Sequence, residues 1–334
     1  MDQLSAHLDR GWDLAQRGDA QGAVSCARRA LELDPQSPEV HNLLGFTAAL
    51  TGESEEALEH YRQAIALDEN YFEAMLNAAE VLISPLQEWD DAVTLCEDAL
   101  DLAETPEEVA DCILLKVDAL LGKGDREEAK RTMRGLPEDP FTNPSYTFMI
   151  GRAYYELGEL LLAVPYVEEA SRKDPDNPDA LYYLGLIRDE QGDARGALEA
   201  YLRSRAADVL HAPPPWAPTP EAFATLVQNV VLKLDTVFAA YVREADVYIV
   251  DVPGAELVVD GIDPRAPMLL ESPPPREEGA MPKARLFVYQ RNVERVSGSV
   301  EAIEEEMLHA LEREITAVFL DKDPDAKADK SKLN

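Results

Sequence analysis

The chain repeats itself every 34 residues: Gly11, Ala23 and Ala30 return as Gly45, Ala57 and Ala64. The frame comes back as Gly151, Ala163 and Ala170, then as Gly185 and Ala197, and the step from 163 to 197 is again 34. A period of this length specifies pairs of helices stacked on copies of themselves, because one pair cannot bury its apolar face alone. Small side chains recur where two antiparallel helices cross and their backbones approach; Leu44, Tyr61, Leu184 and Tyr201 fill the spaces between crossings. The punctuation agrees. Gly18-Asp19, Gly52-Glu53, Gly124-Asp125, Gly158-Glu159 and Gly192-Asp193 supply turns within pairs. Asp34-Pro35 and Asp174-Pro175 close second helices, and Pro38 and Pro178 open the next first helices.

With these residues, the segment from about Leu4 to Ala206 resembles tetratricopeptide repeats, roughly six in number. The resemblance implies an all-α superhelix over residues 1–207. Two units depart from the pattern. The third, Phe72 to Leu102, carries Ala79 in place of Gly and gains a residue near Ser84-Pro85; the fourth, Val109 to Leu136, keeps Gly124, Asp125 and Ala129 but little else.

Such arrays bind extended or helical segments along a concave side lined by the first helix of each unit. Counting along those helices places Asn42, Phe46, Leu76, Glu80, Phe148, Arg152, Tyr155, Tyr182 and Asp189 on that side. The set mixes aromatic and polar groups able to pack on a partner and hydrogen-bond its backbone. Phe148 and Tyr182 suit packing between repeats equally well. The Lys residues with which related domains clamp acidic chaperone tails are absent from these positions, which argues against that ligand.

Charge narrows the partner class. There are 65 acidic residues against 31 basic ones, a formal net charge of −34. Such a chain repels nucleic acid and anionic lipid; a basic protein partner or a solvated outer face accounts for the charge equally well. No apolar run of membrane-spanning length and no signal segment is present, so a cytoplasmic location is expected. Cys26, Cys96 and Cys112 lack paired spacing and read as core residues, and no cofactor motif is found.

At His211-Ala-Pro-Pro-Pro-Trp-Ala-Pro-Thr-Pro220 the composition changes, and residues 208–220 read as a stiff linker. Beyond it, Phe223, Leu226, Val230, Leu234 and Phe238 predict a helix over 221–244. Strands are predicted at 246–252 and 285–290 with a long loop between them, and a closing helix at about 300–320. Residues 221–322 thus form a small α+β domain, followed by a disordered tail over 323–334.

The strand Arg285-Leu-Phe-Val-Tyr289 before a helix bearing His309 resembles the minimal zincin-like metallopeptidases of bacteria. In that family two His one turn apart hold zinc and an intervening Glu is the general base. Here His309 matches the first His, but Ala310 replaces the Glu and Arg313 the second His. The resemblance therefore implies a scaffold without catalysis. The combined expectation is an adaptor that binds one or more proteins, in bacterial signalling beside kinases or in complex assembly. The alternative is a zinc metallopeptidase with substituted ligands, whose repeats recruit substrate.

Overall fold

The computed structural model describes residues 3–137, 141, 143, 145–272 and 284–320. The chain divides into two compact units, residues 1–216 and 217–334.

The first unit is built from hairpins of helices. They are α1 (Gln3–Gln16) with α2 (Ala20–Leu33), α3 (Pro38–Thr51) with α4 (Ser54–Leu67), and α5 (Phe72–Ile83) with α6 (Trp89–Leu100). The next are α7 (Pro106–Lys123) with α8 (Arg126–Thr132), α9 (Ser145–Glu156) with α10 (Leu160–Lys173), and α11 (Pro178–Glu190) with α12 (Ala194–Leu210). Their starts are written locally. Ser37 Oγ accepts from Val40 N at 3.3 Å, and Asn177 Oδ1 accepts from the backbone N–H groups of Asp179 and Ala180. In each case Pro follows at the first helical position, where its missing N–H costs nothing. Thr105 and Glu108 form a reciprocal capping box ahead of α7. Gly52 ends α3 in the left-handed region at φ 83°, a backbone state that other residues enter at a cost.

Within a hairpin, the small residues set the approach. A Cβ placed on Gly45 would stand 2.6 Å from the Tyr61 ring and 3.0 Å from the Ala57 carbonyl oxygen, and one on Gly185 would stand 2.4 Å from the Tyr201 ring. Tyrosine from the second helix thus fills the hollow that glycine leaves on the first. Ala23, Ala30, Ala57, Ala64, Ala92 and Ala99 are fully buried along the second helices. Between hairpins, Leu8, Ala27, Ala30, Val40 and Leu43 share one apolar cluster; burying a Leu of this kind contributes about 2 kcal/mol. The third hairpin absorbs its extra residue in the turn between α5 and α6, where Gln87 takes φ 57°.

The second unit contains a sheet in the order β1 (Asp246–Val250), β3 (Arg285–Tyr289), β2 (Met268–Glu271). Strands β1 and β3 run parallel with Ile249 opposite Val288, and β2 runs antiparallel to β3 with Leu270 opposite Leu286. Phe223, Val227 and Val230 of α13 (Pro220–Lys233) are buried, as are Ile303, Met307, Leu311 and Ile315 of α17 (Ile303–Ile315). The two helices are also tied by Asn229 Nδ2 donating to Glu304 Oε1 at 2.9 Å.

The second unit differs in detail from the sequence-based expectation. The helix expected over 221–244 breaks at Leu234, which is extended, and Asp235 then caps α14 (Thr236–Val242) by accepting from Val237 N at 2.9 Å. The region expected as one long loop contains α15 (Ala255–Val259) and β2, elements too short for periodicity to reveal. An unforeseen helix, α16 (Gln290–Ser297), follows β3 directly, and α17 ends in a wider π-type turn over Thr316–Leu320. The tail expected to be disordered, 323–334, lies outside the described residues.

Candidate partner-binding groove

The first helices of five successive hairpins, α1, α3, α5, α7 and α9, line a groove of about 650 Å³. Its apolar wall includes Trp12, Phe46, Leu76, Leu114 and Met149. Its charged groups are Glu73 and Glu80 from α5, Asp111 and Asp118 from α7, and Arg152 from α9. Trp12 and Phe46 touch across a repeat boundary, their ring centroids 5.2 Å apart.

The carboxylates are crowded. Loss of water along the wall pushes the Glu80 carboxyl above its ordinary range, and Asp111 and Asp118 push it further. Asp111 is raised by burial and by Glu108 and Glu107, although Tyr146 donates to it at 2.8 Å. Burial raises Asp118 despite its ion pair with Arg152. The groove therefore holds four carboxylates, and the guanidinium on its wall is already engaged by one of them.

Phe46, Leu76, Glu80 and Arg152 meet in this groove. The other residues counted onto the concave side from sequence lie elsewhere. Asn42 is fully buried: it donates from Nδ2 to Tyr71 Oη at 3.2 Å and accepts from Asn77 Nδ2 at 3.0 Å, which ties the second hairpin to the third. The oxygen and the nitrogen of its amide thus both find protein partners out of solvent. Phe148 and Tyr155 pack edge-on against Tyr183, with centroid distances of 5.7 and 5.5 Å, and Tyr182 stands 5.9 Å from the Tyr201 ring. Tyr155 Oη also donates to Glu190 at 2.7 Å, and Tyr183 Oη donates to Glu156. Asp189 is exposed on α11.

Trp12, Leu114 and Asp118 were missed, although the 34-residue step would have found them. The positions 12, 46, 80, 114, 148 and 182 form one column, as do 118 and 152. Counting from each unit's start placed Phe46, Glu80, Phe148 and Tyr182 of that column but passed over Trp12 in the first hairpin and Leu114 in the irregular fourth.

In the second unit His309 and Arg313 are exposed on α17, while Ala310 is buried at 4% exposure. Among the described residues no group of three or more His, Cys, Asp or Glu is placed to hold a metal ion. No described helix is long and apolar enough to cross a membrane.

Residues 8–71 and 148–208 match a family model described as tetratricopeptide repeat, and residues 74–110 match a second model of that description. The BBSome complex member bbs-4 of Caenorhabditis elegans is 23% identical over 190 residues, covering 56% of this chain and 40% of that relative. The chain thus spans less than half the length of this curated relative. Among solved structures, Pseudomonas aeruginosa pilF shares 20% identity over 67% of this chain and 97% of its own, with a TM-score of 0.51. PilW, a type IV pilus biogenesis factor, shares 18% over 62% and 94%, with a TM-score of 0.53. These likenesses are likenesses of fold. With their 34-residue period, their stacked hairpins and these matches, the helices of the first unit are tetratricopeptide repeats.

Proposed function

We propose that this chain is a protein-interaction scaffold that holds a segment of a partner against the first helices of its repeats. One observation carries the reading: five consecutive first helices contribute apolar and charged side chains to one open groove. A surface assembled from successive repeats suits a chain lying across them. The roles named for the relatives, pilus biogenesis and membership of a complex, are of the assembling kind that this proposal assigns.

The second unit enters the proposal as a non-catalytic module resembling minimal zincin-like peptidases. Support comes from α17, where Ala310 stands at the position of the general base and Arg313, a cation, at that of the second zinc ligand. Bacterial signalling or complex assembly in the cytoplasm is the setting proposed, a reducing compartment that suits three free buried cysteines.

The test is affinity capture from native extract with the intact chain and with Phe46→Ala/Leu76→Ala, folding of both being checked by circular dichroism. A retained protein lost from the variant is the expected result. Retention unchanged by the variant would move docking away from the groove. For the second unit, stoichiometric zinc that disappears in His309→Ala would overturn the non-catalytic reading.

A further inference from the structure

The groove's charge is lopsided in a way that bears on its occupant. Glu73 and Glu80 project from α5 and Asp111 from α7, and among the described residues no Lys or Arg forms an ion pair with any of them. The basic side chains nearby are committed elsewhere: Arg152 to Asp118, and Lys116 to Glu97 at 2.6 Å. Like charges confined between low-dielectric walls raise each other's energy, and a positive charge arriving from outside relieves them. Burial chiefly, and then the repulsion of Asp111 and Asp118, hold the Glu80 carboxyl above its ordinary range, and burial does the same for Asp111, with Glu108 and Glu107 adding to it.

Between the carboxylates the wall is aromatic and aliphatic: Trp12, Phe46 and Leu76 are partly buried and keep some surface open to the groove, and Leu114 lies buried behind them. A lone cation would leave this surface wet. The described carboxylates also are not gathered closely enough to chelate one. The positive charges must therefore arrive spaced along a chain that also carries apolar side chains. From α5 to α9 is two helix-to-helix steps, about 20 Å at about 10 Å per step, which an extended chain covers in about six residues.

Resting on the scaffold reading above, we propose that the occupant is a cationic amphipathic segment of a partner protein, with Lys or Arg side chains reaching Glu73, Glu80 and Asp111 and interleaved apolar side chains covering the wall. Electrostatic complementarity of this kind governs partner choice and association rate more than raw affinity.

The test uses a displayed library of random twelve-residue peptides selected on the full chain, on Glu80→Gln/Asp111→Asn and on Phe46→Ala/Leu76→Ala. Asn keeps the oxygen that accepts from Tyr146, so the charge variant is isosteric. The expected result is enrichment of Lys and Arg alternating with apolar residues on the native chain. A synthetic peptide of the winning sequence, followed by fluorescence anisotropy, should bind at least about tenfold more weakly to the charge variant and weaken as salt is added. Three results overturn the inference. Neutral or acidic winners that still depend on Phe46 and Leu76 would leave the groove as a docking site and remove its charge preference. Basic winners bound equally by the charge variant would assign the preference to the acidic surface at large. Winners indifferent to both variants would remove the scaffold reading of the groove as well.

Discussion

Asn77 donates from Nδ2 to Oδ1 of Asn42, 35 positions earlier, at 3.0 Å, and Tyr146 makes the corresponding reach to Asp111, also 35 positions earlier, at 2.8 Å. Arg152 and Asp118 are joined across 34 positions in the same sense. Polar side chains one period apart therefore stitch consecutive first helices together, beside the apolar contacts that hold them face to face. In a stacked array, each such link strengthens the coupling between neighbours as well as the stability of either.

Asn42→Ala strips both partners from a fully buried position, leaving Asn77 and Tyr71 without their bonds. The expected loss is about 2 kcal/mol, the cost of orphaning buried polar groups. Urea unfolding followed by circular dichroism measures it. A broader transition than in the native chain is also expected, because the second and third hairpins lose part of their coupling.

Gly45→Ala places a Cβ against the Tyr61 ring. The gain in helix propensity, about 1 kcal/mol, is outweighed by overpacking of about 1–3 kcal/mol, so a modest net destabilisation is expected. In the Tyr61→Leu background the same substitution should cost markedly less. A double-mutant cycle by thermal or urea denaturation reads the coupling.

Glu80→Gln should stabilise the chain at pH 7, by less than about 1 kcal/mol for a side chain open to solvent. The groups facing Glu80 are Asp111, Asp118 and Tyr61. Its folded pKa lies above the unfolded one, so the native chain gains stability relative to the variant as pH falls through that raised value. Stability curves of the two proteins should therefore converge toward acid. Curves that stay parallel from pH 7 to pH 4 would count against crowding in the groove.

His60 gives the opposite sign. Its Nδ1 lies 3.2 Å from Nδ1 of His41, whose Nε2 faces the Pro35 carbonyl at 3.1 Å. Burial and the neighbouring imidazole lower its pKa from 6.5, outweighing the pull of Glu56 and Glu59. The unfolded chain then binds a proton more readily, and stability declines as pH falls from 6.5 toward the lower folded value. Substituting His60→Asn should remove that part of the decline, seen as the difference between the two stability–pH curves.

Burial pushes the Cys96 and Cys112 thiols up to about 12. Neither forms appreciable thiolate at neutral pH, so a thiol reagent should leave both unmodified in the native chain and label them at the rate of unfolding. Rapid labelling of either in native buffer would contradict their packing.

The repeats were legible because their glycines, alanines and prolines encode contacts that recur at one period. Gly45 and Gly185 announce the tyrosines they receive. The groove was half legible. Phe46 and Glu80 emerged from counting along helices, but Asn42 carries the same polarity and turns inward, since a single sequence does not distinguish an amide facing water from one facing Tyr71 and Asn77. In the second unit, Leu234 sits in apolar register with α13 and yet ends it, because the Asp235 side chain offers the backbone a competing hydrogen bond. Strand β2 spans only Met268–Glu271, too little for its alternation to stand out.

The tyrosine seated on glycine inside a hairpin has a mechanical consequence. A hairpin closed by a ring against bare backbone, as at Gly45 and Gly185, behaves as a stiff link with almost no play of its own. Yielding beside those two links then falls to the joints that flank them, spanned by apolar clusters and by polar pairs such as Asn77 with Asn42. A ligand laid along the first helices would be gripped or released by small, additive changes of pitch across several joints, in the manner of a watch strap, while each link keeps its shape.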